Sequence, residues 1–136
     1  MKIVLDTNCF ISCIGKNSFH RMVFDAFLDG RYTLCVSTEI LLEYEEKFIE
    51  FWGQEVANNL LGALLTAENV QFCDVYFNFQ LVQNDPDDNK FADTYLYSNA
   101  DMIVSNDRRL LALNDVEFPP VLVITLDEFL EQIGRI

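Results

Sequence analysis

Residues 2–5 (KIVL) form a continuous apolar, β-rich run ending at Asp6, the pattern of a strand buried on both faces. Residues 8–14 are apolar and short, and predict one or two helical turns. From Phe19 to Leu28, the positions Phe19, Met22, Val23, Ala26 and Phe27 follow helical spacing, and Asp29-Gly30 ends the run. Tyr32–Val36 reads as a second strand. Ser37 or Thr38 then caps a long helix whose apolar stripe is Leu41, Tyr44, Phe48 and Phe51. Gly53 separates it from a helix over roughly 54–67, and a strand over Val70–Val75 follows. Beyond a turn-rich loop, Gln83-Asn84-Asp85-Pro86-Asp87-Asp88, the pattern predicts a helix from about 89 to 98 and a strand at Met102–Val104. A short helix over 108–113, a last strand at Val121–Ile124 and a terminal helix complete the order. Thr125 and Glu128 stand at the spacing of a capping box for that last helix. Strands alternating with helices predict an α/β fold, three layers around a mostly parallel central sheet, in one domain spanning 1–136.

Composition narrows the class. The chain has 136 residues, 51% of them hydrophobic, enough for a core and too many for a disordered chain. No uncharged apolar run approaches the ~20 residues that span a bilayer. The N-terminus meets Asp6 after three apolar residues, which argues against a signal peptide. The expectation is a soluble, cytoplasmic protein with no membrane partner. Cys9, Cys13, Cys35 and Cys73 contain no C-x-x-C pair and are expected to be small buried hydrophobes. With His20 as the single histidine, neither a Cys/His zinc site nor a histidine-dependent nucleophile is supported, and His20 is read as a surface or capping residue.

With 22 Asp+Glu against 9 Lys+Arg, the formal charge is −13. Such a charge repels a phosphate backbone. It reads either as a solvated acidic surface or as carboxylates that hold divalent cations or meet a basic partner.

The predicted order of elements gathers four of these carboxylates. Ligand sites of open parallel sheets lie beyond the carboxyl ends of the strands. Asp6 directly follows the first strand, and Glu43 lies in the second turn of the helix after the second strand. A helix over 89–99 descends about 16 Å, and a strand over 101–105 climbs about 16 Å back. Asp88 and Asp107 therefore return to the same edge. Each also has a structural reading: Asp88 and Asp107 as helix caps, Glu43 on a solvated face, Asp6 as a strand end. Together, however, two carboxylates 4 Å apart repel by roughly 4 kcal/mol at an effective dielectric of 20. A hard divalent ion, Mg²⁺ or Mn²⁺, removes that conflict because it prefers oxygen ligands.

Other acidic motifs fail. Asp85-x-Asp87-x-Asn89 begins like a calcium loop, but Lys90 replaces its glycine and Leu96 its bidentate glutamate. There is no Walker nucleotide loop. An aspartyl-nucleophile phosphatase wants a second aspartate where Asn8 stands.

The segments IVLDTN, STEILLEYEE, DPDDNKFAD and ADMIVSND, in this order, resemble the PIN domain. The DPDDNKF loop and the SND-RRLL segment resemble, more narrowly, the PIN-type toxins of bacterial toxin–antitoxin systems, relatives of VapC. The resemblance runs from residue 3 to about 126. It implies a Mg²⁺- or Mn²⁺-dependent nuclease, most often cutting RNA, whose acidic quartet falls on Asp6, Glu43, Asp88 and Asp107. Asn8 and Ser105 match supporting polar positions. Asp87 rivals Asp88, and Asp93, five positions from Asp88 and off its helical face, is a further candidate for a second ion or a water. Lys90, Arg108 and Arg109 are the nearest basic candidates for the substrate, with Lys16, Arg21 and Lys47 further off. An antitoxin protein and a homodimer are implied partners. The run Phe72, Tyr76, Phe77, Phe79 is either such a contact surface or core and edge packing. The competing readings are a non-catalytic PIN-like module binding protein or RNA, and a DNA nuclease built on the same ions.

Overall fold

The computed structural model describes residues 1–76, 79–81 and 88–134. β1 (Lys2–Leu5) is the apolar KIVL run, and it takes the centre of the sheet because Ile3, Val4 and Leu5 need burial on both faces. β2 (Thr33–Val36) and β3 (Val70–Phe72) lie on one side of it, β4 (Met102–Val104) and β5 (Val123–Ile124) on the other. The order is β3-β2-β1-β4-β5, and every pairing is parallel. The predicted mostly parallel sheet is thus parallel throughout its described strands. Ile3 pairs with Leu34 and Met102, and Leu5 pairs with Val104, so β1 and β4 end level with each other.

Among the described residues, seven helices cover the sheet: α1 (Thr7–Ile14), α2 (Arg21–Leu28), α3 (Thr38–Trp52), α4 (Gln54–Thr66), α5 (Asn89–Ser98), α6 (Arg108–Leu111) and α7 (Leu126–Gly134), with a 3-10 turn at Ala112–Asp115. The chain winds outward through β1, β2 and β3, then crosses back to β4 and β5. Right-handed crossovers therefore put α1 to α4 on one face and α5 and α6 on the other, giving three layers. Contacts of α1 with α2 and α3, and of α5 with β1, β2 and β4, follow that arrangement. Phe10, Tyr44 and Phe48 form the aromatic centre of the first face. Tyr44 is fully buried and donates to the Leu5 carbonyl at 2.5 Å, which ties α3 to the end of β1.

Local signals explain most boundaries. Ser37 caps α3, its side chain accepting from the Ile40 amide. Gly53 adopts φ 87°, which a side chain resists, and turns α3 into α4. Asn99 closes α5 in the left-handed region. The Thr125 and Glu128 box forms in both directions, at 3.0 and 3.1 Å.

Some expectations need correction. α2 starts at Arg21, so Phe19 lies outside it and is exposed, as is Met22 in its first turn. Phe51 is exposed because α3, about 22 Å long, overhangs a strand of about 13 Å. The third strand stops at Phe72 rather than at 75, because β2 offers no partner beyond Val36. The last strand begins at Val123 rather than at 121. Cys9, Cys13 and Cys35 are buried, but Cys73, beyond the edge strand, is only half-buried. His20 occupies the N-cap position of α2 without capping it, and its Nε2 meets Asp127 of α7 at 2.5 Å. Phe72, Tyr76 and Phe79 are exposed, against the core reading of that run; Phe77 and Asp87 lie outside the described residues.

Candidate active site

The strand order reverses at β1 and β4, and two aspartates follow their ends. Asp6 is held by its own backbone, whose amide donates to Val104 and whose carbonyl opens α1 by accepting from Phe10. Its side chain is only 7% exposed. Ser105, fully buried, donates its hydroxyl to Asp6 Oδ2 at 2.7 Å and accepts the Asp107 amide at 3.0 Å. One hydroxyl thus locks the two strand ends together.

Asp107 caps α6, its Oδ1 accepting the Arg109 amide at 2.7 Å. Its capping reading therefore holds, and the residue still stands beside Asp6. Glu43, on α3, accepts from the Thr7 hydroxyl, and its Oε1 lies 3.2 Å from Lys90 Nζ. Burial pushes the Asp6 carboxyl above the ordinary carboxylate range. The Ser105 bond opposes that shift, while the negative charges of Glu43 and Asp107 add to it. Asp6 therefore feels two carboxylates from two other segments of the chain.

Asp88 stands at the N-cap position of α5, but its backbone is helical (φ −80°, ψ −16°) and its side chain caps nothing. The capping reading fails for it. Asp93 is not among the charges that act on Asp6. It is buried on α5, accepts the Phe79 amide at 2.9 Å, and has Glu39 as its electrostatic neighbour. Arg108 and Arg109 are exposed on α6. Lys90 pairs with Glu43 rather than facing solvent. Arg21 and Lys47 form helical pairs with Asp25 and Glu50.

A cavity of about 320 Å³ opens at this edge, lined by Asp6, Asn8, Cys9, Ser12, Asn106 and Asp107. The Cys9 thiol is pushed up to about 12 by burial and by the Asp6 charge, so it is inert as a nucleophile. Asn106 and Thr7 were not singled out from the sequence. Thr7 directly follows Asp6 and Asn106 directly precedes Asp107, adjacency that would have flagged both. Asn106 Oδ1 also accepts the Leu126 amide and anchors α7 beside the site.

Among the described residues, no three His, Cys, Asp or Glu side chains are gathered closely enough to ligate one ion. Each acid is held by a neighbour instead: Asp6 by Ser105, Asp107 by the Arg109 amide, Glu43 by Thr7 and Lys90. The donor chemistry nonetheless fits a hard divalent cation, being all oxygen, with Asp6 desolvated and repelled by Glu43 and Asp107.

No curated protein matches the chain. Among solved structures, a chain of the VapBC2 complex from Rickettsia felis, bound to a DNA fragment from its promoter, is 17% identical with a TM-score of 0.61. The match covers 92% of this chain and 98% of that one. A chain of FitAB bound to the IR36 DNA fragment is 15% identical with a TM-score of 0.57, covering 91% and 94%. At these identities the likeness is one of fold. A PIN domain family model matches residues 2–109, which hold the central sheet through β4 and all the acidic candidates, and the chain belongs to the PIN domain family.

Proposed function

We propose that this protein is a divalent-metal-dependent endoribonuclease and the toxin of a toxin–antitoxin pair. The observation that carries the reading is the buried Asp6 carboxylate at the strand-order reversal, with Glu43 and Asp107 raising its pKa. Family membership supports nuclease activity, and fold likeness to chains of VapBC2 and FitAB supports an antitoxin partner.

Asp6, Glu43 and Asp107, with Asp88 at the start of α5, would hold Mg²⁺ or Mn²⁺. The bound ion supplies a water of lowered pKa and neutralises charge on the scissile phosphate. Ser105 fixes the rotamer of Asp6, and Thr7 fixes Glu43. A carboxylate of the group accepts the proton of the attacking water. Arg108 and Arg109, exposed beside Asp107, meet the flanking phosphates. With so few cations available, the salt dependence of RNA binding is shallow.

The Lys90–Glu43 pair favours a second reading, a non-catalytic binding module, since the chain's own cation already engages one acid. Calorimetry with Mn²⁺ and Mg²⁺ on the wild type and Asp6→Asn, followed by labelled RNA and DNA on the same samples, separates the readings. Metal binding and RNA cutting that both vanish in the variant support the nuclease. DNA cut in preference to RNA moves the assignment to a DNA nuclease, and absence of metal binding leaves the module.

A further inference from the structure

A second cavity, of about 460 Å³, opens on the same edge of the sheet, over the ends of β2 and β3. Its volume lies in the range of small-ligand sites. Thr38 and Glu39 line it from the first turn of α3, Asp74 and Tyr76 from the segment after β3, and Lys90 and Asp93 from α5.

The lining is rich in hydrogen-bond acceptors. It holds three carboxylates, and its amine, Lys90, is engaged with Glu43. Asp93 is only 2% exposed. Its Oδ1 accepts the Phe79 amide, and among the described residues its Oδ2 accepts no hydrogen bond. That oxygen is not fully enclosed and borders the cavity, where a donor can reach it. Tyr76, 84% exposed with its hydroxyl 3.3 Å from Asp74 Oδ2, offers a ring at the same wall. An acceptor set beside an aromatic ring is how single-stranded bases are held, by stacking and by their Watson–Crick edges.

The cavity also adjoins the Asp6 site. Glu39 lines it and Glu43, one helical turn or about 6 Å along α3, faces Asp6. Lys90 lines it and pairs with Glu43. A strand whose phosphate sits at Asp6 thus has a neighbouring base at the cavity mouth. That contiguity favours a nucleobase over a basic side chain of a protein partner.

We propose that this cavity is a base-reading subsite in which Asp93 accepts from the exocyclic amino group of cytosine, adenine or guanine and excludes uracil, which carries none. The assignment rests on the nuclease reading of the chain. Carboxylate acceptance from the cytosine amino group is an established pairing, worth about tenfold or more in discrimination.

The test titrates cytidine and uridine monophosphates into the full chain by NMR, for the wild type, Asp93→Asn and Tyr76→Ala. The wild type is expected to bind the cytidine nucleotide about tenfold more tightly. Asp93→Asn keeps a carbonyl for the Phe79 amide but turns an NH₂ into the cavity, so the preference should invert toward uridine. Tyr76→Ala should weaken both nucleotides alike. A purely structural Asp93 would leave the ratio unmoved in a folded variant, and that result overturns the proposal. So does equal affinity, no nucleotide bound at millimolar concentration, or displacement by N-acetyl-arginine amide with nucleotides excluded. If RNA is never cut but the Asp93-dependent preference appears, the nuclease reading falls and the subsite stands. If RNA is cut without the preference, the subsite alone falls.

Discussion

Asp6 and Asp93 are both nearly inaccessible, at 7% and 2% exposure, and burial raises the pKa of both. Their surroundings differ. Asp6 stands at the reversal of strand order, is held by the Ser105 hydroxyl, and faces Glu43 and Asp107. Asp93 stands on a helix, is held by the Phe79 backbone amide, and has Glu39 as the charge that adds to its shift. Equal burial therefore creates two chemistries. Carboxylates that press on a buried Asp6 call for a cation, whereas Asp93, at the wall of an open cavity, is placed to accept from a donor that enters it.

The largest effect expected from this contrast is on cleavage. Asp6→Asn retains an oxygen for Ser105 but loses the charge, and should lower metal-dependent RNA cutting by more than about 100-fold, beyond what disturbing a ligand's support costs. Asp93→Asn, assayed on a mixed RNA pool, should change which sites are cut and leave the total rate within a few-fold. Initial rates of both variants at saturating Mn²⁺ decide this. If both variants collapse equally, the two aspartates belong to one machinery and the contrast is wrong.

What the sequence made legible follows the same division. Asp6, Glu43 and Asp107 could be placed because each follows a strand end or lies within two helical turns of one, so element order alone returns them to one edge. Asp93 could not. Its role depends on which face α5 turns to the segment after β3, and on a backbone amide 14 residues earlier in the chain. The Lys90–Glu43 pair was also hidden, because it forms only where α5 packs against α3 across the edge. The misplaced Phe19 and Phe51 fail for a related reason. Helical periodicity identifies a face, but it does not say where the helix starts or whether the core extends as far as its last turn.

Ser105→Ala comes next in size. It removes the hydroxyl that orients Asp6 and accepts the Asp107 amide, without removing a carboxylate. The expected loss is about 10- to 100-fold in activity or metal affinity, as for other supports of ligating groups. Thermal unfolding should show a loss on the order of 1 kcal/mol, the net worth of a typical hydrogen bond. Activity that survives intact would mean that packing alone sets the Asp6 rotamer.

Lys90→Ala tests whether the chain's own cation competes with an added one. Freed from the ammonium 3.2 Å away, Glu43 should bind divalent ions more tightly, by about fivefold, or roughly 1 kcal/mol for such a pair. Calorimetry at low ionic strength gives the direction directly. Weaker metal binding would instead make Lys90 a residue that positions Glu43.

The smallest effect concerns stability, and its sign follows from the raised pKa of Asp6. A carboxyl that binds its proton more tightly when folded favours the fold fully at pH values below its unfolded pKa, and that contribution is lost as pH rises through the folded pKa. At neutral pH the ionised Asp6 is therefore a liability to the metal-free protein. Asp6→Asn should then melt a few degrees higher than the wild type at pH 7, on the order of 1 kcal/mol or less. The advantage should vanish in acid below the ordinary carboxylate range. Asp93→Asn should show the same sign, because burial raises that carboxyl too. Adding Mn²⁺ separates the two positions: it should raise the melting temperature of the wild type and of Asp93→Asn, but not of Asp6→Asn. Identical metal responses in all three would place the ion elsewhere and dissolve the distinction between the two buried carboxylates.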